Sequence, residues 1–95
     1  MFFLRTVRAI LVSDTDNCVT LTESADKGDA VYFLCDGVDA AVNAYESIPG
    51  WHKMAIVAVG KGMQVTKYGA VIGTAICDIE PGYHVHIHNI KSPEL

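Results

Sequence analysis

Turn-forming residues break the apolar runs of this chain every eight to twelve positions, so it cannot build long regular elements. Asp14-Thr15-Asp16-Asn17 stops the run from Leu4 to Val12, and Asp36-Gly37 stops the run from Ala30 to Cys35. Pro49-Gly50 precedes the run from Lys53 to Val59. Asp and Asn bond to their own backbone in turns, Gly supplies positive φ, and Pro presets one turn dihedral. Short apolar runs between such residues predict an all-β fold of many short strands. Further strands are expected at Cys18 to Leu21, Gln64 to Thr66, Val71 to Cys77 and Tyr83 to Asn89. The alanines of Val38 to Ser47 carry helical propensity, but Pro49-Gly50 would end a helix soon, so helix and strand both stay open there.

An internal repeat supports the β reading. Ala55-x3-Val59-x2-Gly62-x2-Val65 has the same form as Ala75-x3-Ile79-x2-Gly82-x2-Val85, and Leu21-x3-Ala25-x2-Gly28-x2-Val31 is a looser copy. In each, an apolar strand end leads to a turn closed by Gly, and a Val begins the next strand. Gly at that place implies a positive φ that a Cβ would resist. The copies start 34 and 20 residues apart, too irregular for a solenoid, so the device is reused within one compact domain. That domain is taken as residues 1–95, with Lys91 to Leu95 as a loose tail.

Composition narrows the function classes. A chain that is 51% hydrophobic and 19% charged is not disordered. A net charge of −4 without a basic cluster argues against nucleic-acid binding. Arg5 and Arg8 interrupt Met-Phe-Phe-Leu before a signal-peptide core forms, and nothing approaches the roughly 20 apolar residues of a membrane span. Cys18, Cys35 and Cys77 are odd in number and lack a CxxC spacing, so neither a disulfide framework nor a zinc knuckle is expected. Cys35 and Cys77 lie in apolar runs and read as small buried hydrophobes, and a reducing cytoplasm fits them.

The residues that could carry chemistry concentrate late in the chain. His84, His86 and His88 alternate, so in a strand they share one face while Val85 and Ile87 turn to the core. Imidazoles two residues apart can converge on one ion, and imidazole suits zinc, iron, nickel and copper. A solvated polar strand face is the alternative. A full site needs a third ligand, for which His52, Asp78, Asp16 or a carboxylate of another chain is available. Lys67-Tyr68 offers a charge and a hydroxyl for a substrate carboxylate, or simply an exposed Lys beside a half-buried Tyr. Gly60-Lys61-Gly62 lacks the rest of a phosphate loop and opens no helix.

Taken in order, these pieces resemble a family. His52-Lys53-x-Ala55, Gly62-x2-Val65-x-Lys67-Tyr68-Gly69-x2-Ile72-Gly73-x-Ala75 and Ile79-x2-Gly82-x2-Val85-His86-x-His88-Asn89 look like the N-terminal SAF domain of altronate and galactarate dehydratases. Asp16-Asn17-x-Val19 is similar to that family's early motif. The resemblance spans most of the chain. It implies a β-clip fold, and it implies the stand-alone small-subunit form found beside a large catalytic subunit in altronate-type dehydratases and in sulfolactate sulfo-lyase. It further implies elimination of water or sulfite from a small carboxylate substrate, aided by a divalent metal such as iron. By the same resemblance His52, His86 and His88 are catalytic, with His86 and His88 as metal ligands. Lys53, Lys67, Tyr68 and Asn89 then bind substrate, and His84 receives no role. The chain alone is expected to be inactive, because it lacks a carboxylate cluster, and a homo-oligomer is left open. The competing reading is a non-catalytic module that binds a sugar acid or a partner. A dehydratase-like reading frame beside the gene would separate the two.

Overall fold

The computed structural model describes residues 5–92. Leu4 and the end of the expected tail, residues 93–95, fall outside that range. Among the described residues nine strands form two sheets. In chain order they are β1 (Thr6–Ile10), β2 (Cys18–Leu21), β3 (Ala30–Cys35), β4 (Val38–Asn43), β5 (Lys53–Ala55), β6 (Gln64–Lys67), β7 (Ala70–Ala75), β8 (His84–Val85) and β9 (Ile90–Lys91). Six strands run in the order β4-β3-β1-β2-β5-β8, and three in the order β6-β7-β9. Only β1 and β3 pair in parallel. The described residues contain no helix, and none is therefore long and apolar enough to cross a membrane. This is the all-β architecture of many short strands that the punctuation predicts, and it is consistent with the SAF-like fold that the resemblance implies.

The repeat is the scaffold, and it has four copies rather than three. The missed copy is Ala44-x3-Ile48-x2-Trp51-x2-Met54, in which Trp51 stands where the others carry Gly. Each copy closes a four-residue turn, from Asp29 N–H to Asp26 O, His52 to Pro49, Met63 to Gly60 and Tyr83 to Glu80, at 2.9–3.2 Å. The third residue is left-handed in all four, with φ of 95° at Gly28, 65° at Trp51, 87° at Gly62 and 93° at Gly82. Copies then lock in reciprocal pairs. Gly28 N–H donates to Ala44 O while Trp51 N–H donates to Leu21 O, and Ala25 bridges Ile48. Gly62 N–H donates to Ala75 O while Gly82 N–H donates to Ala55 O, and Val59 bridges Ile79.

The same pairing divides the core. Leu21, Ala25, Val31, Ala44, Ile48 and Met54 fall in one buried cluster, with Val7, Val19 and Phe33 around them. Ala55, Val59, Val65, Ala75, Ile79 and Val85 fall in the other, with Cys18. Every apolar position of every copy is thus buried, which removes its side chain from water at roughly 25 cal/mol per Å² of apolar surface.

Two sequence expectations need correction, and one choice left open between helix and strand is resolved. Val38 to Ser47 is not a helix, because Asp36-Gly37 adopts φ of 52° and 76°, the two-residue turn that folds β4 back on β3. All six residues of β4 pair with β3, so sheet pairing overrides the alanine propensity. Tyr83 to Asn89 is not one strand. It breaks after Val85, and Ile87, assigned above to the core, is 81% exposed on a turn. Finally, Cys77 is exposed and Cys35 half-buried, so only Cys18 is a fully buried thiol, with burial pushing its pKa up to about 11.

The two glycines at Gly62 and Gly82 separate conformational strain from steric fit. A Cβ on Gly62 would meet open space, whereas on Gly82 it would collide with the Asn43 carbonyl and press on the Tyr45 backbone. Gly62→Ala should cost about 1–2 kcal/mol, the left-handed penalty alone. Gly82→Ala should cost at least about 2 kcal/mol more, because packed backbone must move. Urea denaturation of the two variants checks this.

Candidate functional site

The site forms where β5 and β8 pair. Lys53 lies opposite Val85 and Met54 opposite His84, so the continued register sets His52 opposite His86. Opposed residues share a face, as do residues two apart on one strand. His52, His84 and His86 therefore converge, although His52 is 32 residues from His84 in sequence. His52 Nδ1 lies 2.9 Å from His84 Nε2, the separation of a hydrogen bond in which one ring donates and the other accepts. The rings of His84 and His86 stack at 5.5 Å and 7°, and His52 lies 4.7 Å from His86. One nitrogen from each of the three rings lies within 4.8 Å of the others. His88, within the turn that follows β8, rests its ring 5.2 Å from His84 and stays exposed.

Local sequence explains why the chain leaves the sheet here. Asn89 is buried and clamps the turn with both ends of its amide. Its Nδ2 donates to His84 O at 2.6 Å and its Oδ1 accepts from His86 N–H at 2.9 Å. Asn89 N–H and Ile90 N–H both return to His86 O, closing the turn. The residue expected to bind substrate thus holds two histidines in place. Glu46 adds a contact that sequence reasoning missed, its Oε2 accepting from His84 N–H at 3.1 Å. It comes from Val38 to Ser47, the segment left open between helix and strand, and no spacing signal announced it. His52 is set by the fourth repeat copy, since its own N–H closes the turn behind left-handed Trp51.

The other expected residues sit elsewhere. Lys53 points to the opposite face of β5 from His52, toward the side of Cys18 and Val85. Lys67 and Tyr68 lie at the β6–β7 turn, where Tyr68 and Gly69 have φ of 57° and 71°. Their exposure reverses the expectation: Lys67 is fully buried and Tyr68 is 63% exposed. Lys67 Nζ has no hydrogen-bond partner and lies 4.0 Å from the Tyr68 ring centroid. Among the described residues, no hydrogen bond, ring contact or ion pair joins Lys67 or Tyr68 to the histidines. Asp16 and Asp78, named above as third ligands, are engaged otherwise. Asp16 accepts the N–H groups of Ser13, Tyr68 and Gly69, and Asp78 accepts that of Lys61. Burial disfavours the charged Asp16, but the Gly69, Ser13 and Tyr68 donors and the Lys67 charge outweigh it and hold its pKa below the usual carboxylate value.

A family model for the altronate/galactarate dehydratase SAF domain matches residues 7–93. The chain belongs to that family. Altronate dehydratase of Escherichia coli K12 is 36% identical over 64 residues, covering 62% of this chain and 13% of that enzyme. Altronate dehydratase of Bacillus subtilis 168 is 28% identical over 83 residues, covering 87% of this chain and 16% of that enzyme. The (2R)-sulfolactate sulfo-lyase subunit alpha of Paracoccus pantotrophus is 42% identical over 57 residues, covering 60% of this chain and 85% of that subunit. The chain therefore spans a small fraction of the two dehydratases and most of the sulfo-lyase subunit.

Two predictions arise from this geometry. His84 is held below the ordinary imidazole value of 6.5, by desolvation first and then by the positive charge that His52, His88 and His86 would carry. Unfolded His84 takes up its proton near 6.5 and the folded residue resists it, so stability is full above 6.5 and declines as pH falls through the lower folded value. Asp16 and Asp29, both lowered from 3.8, lose their contributions only at more acid pH. Urea midpoints of the metal-free chain between pH 7.5 and 5, about 1 unit above and 1.5 below that value, should fall with pH, and His84→Gln should flatten the slope. Separately, a buried ammonium without a hydrogen bond is costly. Lys67→Met should raise the unfolding free energy by about 1–3 kcal/mol, read from the same denaturation.

Proposed function

We propose that this chain is the SAF component of a lyase that eliminates water, or sulfite, from a small carboxylate to give a 2-keto acid, in complex with a larger catalytic subunit. The observation that carries the reading is the histidine cluster at the β5–β8 junction within an SAF domain. The match to most of a chain named as one subunit supports a multi-subunit assembly, and the match to a small part of each dehydratase supports a larger catalytic body. Three free cysteines suit a reducing, cytoplasmic setting.

Elimination from a 2-hydroxy acid takes a proton from the carbon beside the carboxylate and expels hydroxide or sulfite from the next carbon. The resulting enol becomes the ketone. That proton is weakly acidic, so a base must be placed on it and the growing negative charge must be stabilised. His88, exposed at the mouth of the cluster, fits the role of base, with the exposed His86 beside it as a ligand for the metal. His52 supports His86 by ring contact. A bound divalent metal such as iron would supply charge stabilisation, and imidazoles are ligands it accepts. Lys67 is a buried ammonium without a hydrogen-bond partner among the described residues, so it is the group that fits the substrate carboxylate, with Tyr68 beside it. Dehydration of an altronate- or galactarate-type sugar acid is the first choice of substrate, because the family model carries that description. The coverage of the sulfo-lyase subunit favours sulfolactate as the second.

The test is co-expression with the large subunit and an assay of keto-acid and sulfite release over sugar acids and sulfolactate. The isolated chain should show no turnover. In the complex, His86→Ala and His88→Ala should each lower the rate by about 10²-fold or more, as for loss of a metal ligand and of a general base. Full activity in both variants, or turnover by the chain alone, would sink the proposal.

A further inference from the structure

We infer that His52, His84 and His86 form a complete three-imidazole metal site within this one chain, with His84 rather than His88 as the third ligand. The inference deepens the proposed lyase role, on which it rests for its purpose but not for its geometry.

Spacing is the first argument. Two nitrogens bound to one ion at about 2.1 Å stand about 3.0 Å apart at right angles and about 3.4 Å apart in a tetrahedron. His52 Nδ1 and His84 Nε2 are 2.9 Å apart, close to the separation of neighbouring ligands. An ion held by both would replace the shared proton and sit to one side of the line between the two nitrogens. His86 brings a third nitrogen within 4.8 Å, a gap that a ring rotation on the exposed side closes. Among the described residues, His88 has a ring contact with His84 alone and belongs to no group of three converging ligands.

Rigidity is the second argument. A site binds tightly when its ligands are held before the metal arrives. Asn89 fixes the backbone of both His84 and His86, Glu46 fixes His84 again, and the repeat turn fixes His52. All three rings are thus supported by bonds that do not involve the metal-facing nitrogens. The chemistry of the donor set is the third argument. Three neutral imidazoles without a carboxylate favour zinc, cobalt, nickel, copper or ferrous iron over magnesium and calcium, which prefer oxygen. Three protein ligands also leave coordination positions open, as in catalytic rather than structural sites.

The experiment uses the purified chain, stripped of metal and without partner or substrate. Calorimetric titration with Zn²⁺ and Co²⁺ should give one ion per chain, and X-ray absorption of the loaded protein should count three imidazoles. His84→Ala should weaken binding by more than about 100-fold, and His88→Ala by about threefold or less. His84→Gln, which keeps a hydrogen-bonding side chain, serves as the second variant if His84→Ala fails to fold by circular dichroism. Absence of stoichiometric binding, undiminished binding by the folded His84 variants, or an equal loss in His88→Ala would overturn the inference. A chain that binds no metal yet supports turnover in the complex would defeat this inference and leave the lyase reading standing.

Discussion

One turn, used four times, determines everything else in this protein. Its third residue must enter the left-handed region, and that single dihedral aims the residue's N–H at the start of a partner copy. Because the bond is returned by the partner, each pair of copies closes on itself. The apolar side chains then have one place to go, and two clusters form, one per pair. Strands of two to six residues suffice because the turns, not the strand length, carry the register.

Most of this scaffold was legible. Three copies could be seen because Gly marks the left-handed position, and Asp36-Gly37 announces its hairpin by the same logic. The fourth copy was hidden by Trp51, which occupies φ of 65° at a cost that only the surrounding bonds justify. The β4 strand was obscured for a different reason. Alanine has a helical preference, but pairing along its full length with β3 outweighs it, and propensity carries no information about a neighbour.

The site was harder to read than the fold. Alternation correctly suggested that His84 and His86 share a face, yet it extended the strand too far, because it could not weigh an Asn whose amide replaces two ladder bonds. The place of His52 depends on which strands pair and in what register, a long-range fact that spacing within one segment does not contain. The alternative reading of Lys67 as an ordinary exposed lysine fails, because a buried lysine is recognisable only once its neighbours are in place. The histidines and Lys67 also represent opposite electrostatic solutions. Desolvation and the neighbouring rings favour neutral His84, whereas Lys67 lies over an aromatic face, near enough to Asp16 for the two charges to attract.

None of the four histidines belongs to either apolar cluster. The apolar scaffold and the proposed metal site therefore rest on separate positions. The imidazoles can be exchanged while the turns and core persist, so kinship in shape alone says little about trade. A chain that keeps the turns but loses the histidines at 52, 84 and 86 would keep the shape without the proposed site.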